Sequence, residues 1–126
     1  MKVILDASAM IALIFGENGA ENVIPHAQGS QILAINFSEV VARVIAIDGN
    51  PERAEVSADR LEINVVPFGK KHARLTAEMM KRTSSVGASL ADRACLAFAE
   101  DSGLPVLTAD KDWSKLELGI DIRQIR

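Results

Sequence analysis

The chain has no Tyr, and Trp113 and four Phe are its only aromatic residues. That is too few rings for the stacking platform on which RRM or OB-type surfaces lay nucleic-acid bases. A single cysteine, Cys95, excludes an internal disulfide framework and fits a reducing compartment. On the apolar face of its helix it reads as an inert core residue. No apolar run approaches the roughly 20 residues a helix needs to span a bilayer. Asp6 interrupts the first apolar run almost at once, so no N-terminal signal is expected. These absences together predict a soluble, cytoplasmic protein that uses no membrane.

Walker and Rossmann phosphate loops are also missing. Gly16-x-x-Gly19 follows a helical stretch rather than a strand and reads as a turn. His26 and His72 have no His or Cys at ligand spacing, so both are expected at the surface and outside any metal site. The formal net charge of -3 argues against a protein that coats nucleic acid non-specifically, but is compatible with a basic patch beside an acidic pocket.

What is present is an ordinary globular balance: 126 residues, 48% hydrophobic and 25% charged, enough for one domain spanning 1–126 with a real core. The organising stretch is Val3-Ile4-Leu5-Asp6-Ala7-Ser8. Its apolar run has no helical or alternating period, as in a strand buried on both faces of a parallel sheet, and it stops on a carboxylate. In open α/β sheets the ligand crevice lies beyond the carboxyl ends of the strands, which is where Asp6 falls.

Further strands are predicted at 31–35, 63–68, 105–108 and 120–125. Pro67 assigns the 63–68 strand to an edge. Helices are predicted at 9–15, 20–27, 36–48, 52–61, 70–82 and 89–101, with a short helical segment around Trp113 and a polar loop at 83–89. Strands alternating with helices give a three-layer α/β/α sandwich with a central, mostly parallel sheet.

Four carboxylates stand out by position. Asp6 and Asp110 lie just past strand ends, and Glu39 and Asp92 lie in the first turns of helices. Each has an ordinary alternative. Asp6 and Asp110 can cap the segments that follow them, and Asn36-x-x-Glu39 and Ser89-x-x-Asp92 have the shape of capping boxes. Capping alone would be served as well by Ser or Asn. Four anions in one partly buried crevice need a bound cation or protonation.

An all-oxygen set of this kind selects Mg²⁺ or Mn²⁺ over zinc and is the equipment of metal-assisted phosphodiester hydrolysis. Ser8 and Thr108 each stand two residues from an acid. Each can orient a water, hold a carboxylate, or bond backbone at the strand-to-helix corner.

At these residues the chain resembles a PIN-domain ribonuclease, specifically the VapC-like toxin of a type II toxin–antitoxin pair. The matching segments are VILDASAMIALIFGENGAE, INFSEVVARV, GASLADRACLAFAEDSGLPVLTAD and DKDW, and the likeness covers essentially the whole chain. The resemblance implies an acidic quartet of Asp6, Glu39, Asp92 and Asp110 binding Mg²⁺ or Mn²⁺. It further implies endonucleolytic cleavage of tRNA or another translation-related RNA, a homodimer, and a cognate antitoxin that silences the site. Asp112 offers a fifth acid in a secondary role, and Asn18 stands where the family commonly has proline.

An acidic pocket that handles RNA needs cations nearby to hold phosphates. Lys70, Lys71, Arg74, Lys81 and Arg82 form the densest positive stretch, with only Glu78 among them, and are candidate phosphate contacts or a solvated helix face. Arg93 can touch phosphate or form a structural ion pair, the latter being favoured. Arg43 suits an intrahelical pair with Glu39. The apolar residues of 9–15 and 40–47 exceed one helix face each. Core is their default place, with a dimer or antitoxin groove as the alternative.

Two other readings compete. A metal-dependent phosphatase wants a second aspartate two residues after its nucleophile, where this chain has Ser8. A catalytically silent RNA- or protein-binding module would be favoured by loss of an acid, and none is lost.

Overall fold

In the computed structural model, which describes residues 2–126, five strands form one fully parallel sheet. They are β1 (Ile4–Leu5), β2 (Gln31–Leu33), β3 (Asn64–Val66), β4 (Val106–Thr108) and β5 (Ile122–Gln124), in the spatial order β3-β2-β1-β4-β5. The helices are α1 (Ala7–Phe15), α2 (Ala34–Asp48), α3 (Arg53–Leu61), α4 (Lys70–Glu78) and α5 (Leu90–Ser102).

β1 lies central, as its unbroken apolar character requires, and Val3, Ile4 and Leu5 are fully buried. β3 lies at the edge and ends one residue before Pro67, which cannot donate to a ladder.

The period-two alternation of the strands divides the core in two. Val3, Leu5, Ile32 and Leu107 face one way and pack with residues of α1, α2 and α3. Ile4, Leu33 and Val106 face the other way and pack with α5, Met79 and Trp113. This is the three-layer α/β/α sandwich expected from the order of elements. Among the described residues no helix is long and apolar enough to cross a membrane.

Three local expectations change. The stretch 20–27 forms two single 3₁₀ turns, Ala20–Asn22 and Ile24–His26, rather than a helix; Pro25 supplies no N–H there. The helix expected over 70–82 stops at Glu78, and Lys81–Val86 continues as a 3₁₀ segment where a loop was expected.

The most consequential change is at α2, which begins at Ala34, with Leu33 at its N-cap and no side-chain cap. Asn36 is therefore inside the helix. Its Nδ2 donates 2.9 Å to the Ala91 carbonyl of α5, so the Asn36–Glu39 capping box does not form.

His72 is half-buried rather than at the surface. Its Nδ1 accepts from the Gly69 N–H at 3.0 Å, and its ring packs between Phe68 and Phe98. Of the apolar excess on the helices, Ile11, Leu13, Ile14 and Phe15 pack partly against the core, while Ile45 and Ile47 on α2 remain exposed.

Candidate active site

β1 and β4 are paired in parallel, Leu5 opposite Leu107, so the residues leaving both strands emerge side by side. Asp6 leaves β1 only 6% exposed and caps α1, its Oδ1 accepting from the Ala9 N–H at 2.9 Å. The same oxygen accepts the Ser8 hydroxyl at 2.6 Å, and Oδ2 accepts the hydroxyl of Thr108.

Each hydroxyl is in turn held by the chain leaving β4. Ser8 Oγ accepts from the Ala109 N–H at 2.9 Å, and Thr108 Oγ1 accepts from the Asp110 N–H at 3.0 Å. Two hydroxyl relays thus tie Asp6 to the exit of β4. Ser8 and Thr108 both hold a carboxylate and bond the backbone, so two of the roles weighed for them coexist.

Burial is the main reason the Asp6 carboxyl is pushed up to about 6. The bonds from Ser8, Thr108 and Ala9 oppose that rise, and the charge of Asp92 adds to it. Glu39, the exposed member on α2, is also raised, first by partial burial and then by repulsion from Asp92 and Asp6. These three carboxylates sense one another although they lie far apart along the chain.

Asp92 and Ser89 form a capping box at the start of α5: Asp92 Oδ2 accepts from the Ser89 N–H at 3.2 Å, and Ser89 Oγ accepts from the Asp92 N–H at 3.1 Å. Asp110 Oδ1 caps the 3₁₀ segment Lys111–Lys115 through the Asp112 N–H at 2.9 Å. A carboxylate has about four lone-pair sites, so these caps leave acceptor capacity on both residues.

A cavity of about 460 Å³ is lined by all four acids, Asp6, Glu39, Asp92 and Asp110, together with Ser8 and Asn36. Capping and convergence are therefore not alternatives for the three aspartates, which do both. Among the described residues no three His, Cys, Asp or Glu side chains stand close enough together to hold a metal ion in this arrangement.

The remaining expected residues lie elsewhere. Asp112 does not line the cavity, and its Oδ1 accepts from Lys115 Nζ at 2.9 Å. Lys71 pairs with Asp101 at 3.2 Å, Arg74 with Glu78 at 2.8 Å, and Arg82 with both oxygens of Glu100 at 2.6–2.8 Å. Glu100 and Asp101 sit about 12 Å along α5 from Asp92, at 1.5 Å per residue.

Lys70 and Lys81 are exposed and make no ion pair among the described residues. Arg93 is half-buried outside the cavity lining, and the ion pair expected for it does not form among the described residues. Cys95 is fully buried, and burial pushes its thiol well up, with the charges of Asp6, Asp92 and Glu39 adding to the effect. It is an inert core residue.

Sequence reasoning missed two residues at this end of the sheet. Gln124 of β5, in register with Thr108, donates 2.7 Å to the carbonyl of Asp110. Nothing local marks it, because polar residues are interspersed with apolar ones through 120–125. Arg126 lines the cavity, and only tertiary structure brings it there.

The model of the PIN domain matches residues 3–118 of the chain. The chain belongs to the PIN domain family. Solved structures share the fold over nearly its full length. A toxin–antitoxin complex from Klebsiella pneumoniae is 18% identical, with a TM-score of 0.78 over 98% of each chain. DNA-bound VapBC from Salmonella typhimurium is 20% identical, with a TM-score of 0.76 over 100% of this chain and 99% of the other.

Mycobacterium tuberculosis VapC20, described as a sarcin–ricin loop cleaving toxin, is 18% identical, with a TM-score of 0.75 over 96% and 98%. At these identities the likeness establishes that this PIN domain has the fold of VapC structures. Comparison with curated proteins returns no match.

Proposed function

We propose that this PIN domain is a Mg²⁺- or Mn²⁺-dependent endoribonuclease, the toxin of a type II toxin–antitoxin pair. One observation carries the reading: acids from four separate segments, Asp6, Glu39, Asp92 and Asp110, line a single cavity at the carboxyl edge of the sheet. The donor set fits a hard divalent cation. It is all oxygen, it contains no His or Cys, and a cation would offset both the burial that chiefly raises Asp6 and Glu39 and the repulsion that adds to it. When bound, one or two such ions supply the Lewis acidity that activates water and neutralises charge on the phosphodiester.

Asp6, Glu39, Asp92 and Asp110 are the residues that would hold the metal. The Ser8 and Thr108 relays fix the orientation of Asp6, and Gln124 pins the backbone of Asp110. The substrate is assigned as RNA of the translation machinery, in keeping with the similar toxin described as cleaving the sarcin–ricin loop. A cognate antitoxin is the expected partner, since several structures of this fold are toxin–antitoxin complexes; a homodimer is the working unit we propose.

The test is incubation of the purified protein with total cellular RNA, followed by mapping of RNA ends. Discrete new ends with Mg²⁺ or Mn²⁺, their loss in EDTA and their return on adding metal are the expected results. Cleavage that persists in EDTA would remove the metal from the reaction. Intact RNA under all conditions would leave a catalytically silent module.

A further inference from the structure

We infer that Arg43 and Arg126, rather than the lysines and arginines of 70–82, hold the RNA backbone beside the acidic pocket; this rests on the nuclease reading. Among the described residues they are the only cationic side chains that line the cavity with the four acids. A pocket of this sign repels the phosphates next to the one being cut, so fixed positive charge at its own wall is what a polyanionic strand requires. None of the cations of 70–82 lines this cavity: Lys71, Arg74 and Arg82 are engaged by carboxylates away from it, two of them at the far end of α5 from Asp92, and Lys70 and Lys81, though without an ion pair among the described residues, lie outside the lining.

Arg43 stands one turn after Glu39 on α2, the spacing at which Glu and Arg ordinarily pair. The pair does not form, and among the described residues no hydrogen bond or ion pair engages the Arg43 guanidinium. Arg126 is held in place instead. One Nη donates 2.7 Å to the Asn18 carbonyl and lies 3.7 Å from Glu17, which leaves most of the five N–H donors of its guanidinium uncommitted.

The turn that anchors it is itself locked to β5. Asn22 Nδ2 donates 2.8 Å to the Ile125 carbonyl, and Gly19 lies against the same carbonyl. One guanidinium is exposed on a helix and the other is held beside the sheet, and both line the cavity that an RNA strand would enter. A guanidinium grips a phosphate through two parallel N–H donors, which a lysine cannot do.

The experiment measures binding of a fluorescently labelled single-stranded RNA oligonucleotide, in Mg²⁺, to protein carrying Asp6→Asn so that the RNA stays intact. Adding Arg43→Gln or Arg126→Gln is expected to weaken binding at least fivefold. Each is expected to lower the slope of log affinity against log salt by about 0.7, the release expected for one phosphate contact on a single strand. Arg126→Lys keeps the charge and should restore the slope but not the full affinity. Arg60→Gln on α3 removes the same charge from an exposed site outside the cavity and should change neither.

A slope unchanged by both arginine substitutions, or one lowered only by Lys70→Gln with Lys81→Gln, overturns the inference while the nuclease reading stands. RNA bound by no form of the protein, with no cleavage by the chain carrying Asp6, overturns both.

Discussion

At Asp6 a buried carboxylate is ringed by three donors and still titrates near 6, because water is excluded from it. The folded value lies above that of the unfolded chain, 3.8, so the unfolded chain releases this proton first as pH rises. Stability is therefore lost between about pH 4 and pH 6. The loss is about 3 kcal/mol at roughly 1.4 kcal/mol per pH unit. Glu39 acts with the same sign.

Urea unfolding in chelator at pH 4 and pH 7 should show this fall in the unaltered chain and a clearly smaller one in Asp6→Asn. Equal falls would mean that Asp6 is not the buried acid described. At pH 7 Asp6→Asn should be at least as stable as the unaltered chain, and more stable by up to about 3 kcal/mol, because the amide carries no buried charge. Its oxygen can still accept from Ser8 and Ala9, and the Thr108 hydroxyl need only turn to accept from the new amide. Cleavage should fall at least 100-fold, about 2.7 kcal/mol of transition-state stabilisation; activity kept with stability lost would reverse the assignment. The positions of the acids were legible because a strand's end and a helix's first turn are marked locally. The hydroxyl relays were legible only as alternatives, because Ala109 lies 101 residues from Ser8 and Thr108 lies 102 from Asp6.

Among the elements, the strands and the edge position of β3 followed from apolar runs and from Pro67, both local signals. The start of α2 did not. Asn36 looks like a cap beside Glu39, but its amide is claimed by Ala91, 55 residues away, and the helix begins two residues earlier. Arg126 and Gln124 were invisible for the same reason, since their partners are set by how β5 docks against β4 and the turn at 17–22.

That docking has a sharp test at Gly19. Its φ of +97° disfavours any side chain, and an added Cβ would meet the Ile125 carbonyl oxygen at 2.6 Å. Gly19→Ala should lower stability by about 2–3 kcal/mol in chemical denaturation, with a left-handed backbone and a backbone clash acting together. Gly29→Ala, also at positive φ but with nothing within 4 Å, should be the milder of the two. Equal effects would mean that the turn does not lean on β5 as described.

For the molecule as a whole, the parallel sheet gathers at one edge what the sequence scatters, and the central claim is about that edge. A ligand that binds only the folded protein stabilises it by mass action, about 2.7 kcal/mol at a hundredfold excess over its dissociation constant. Mn²⁺ should therefore raise the melting temperature of the unaltered chain but not of Asp6→Asn or Asp92→Asn. Equal shifts in all three would place the ion elsewhere. The most direct measurement is an anomalous difference map from crystals grown in Mn²⁺. A peak is expected within coordination distance of oxygens from Asp6, Asp92 and Asp110, with Glu39 turned toward it. An empty pocket at saturating Mn²⁺, with the four carboxylates still apart and bonded only to their caps, would contradict it.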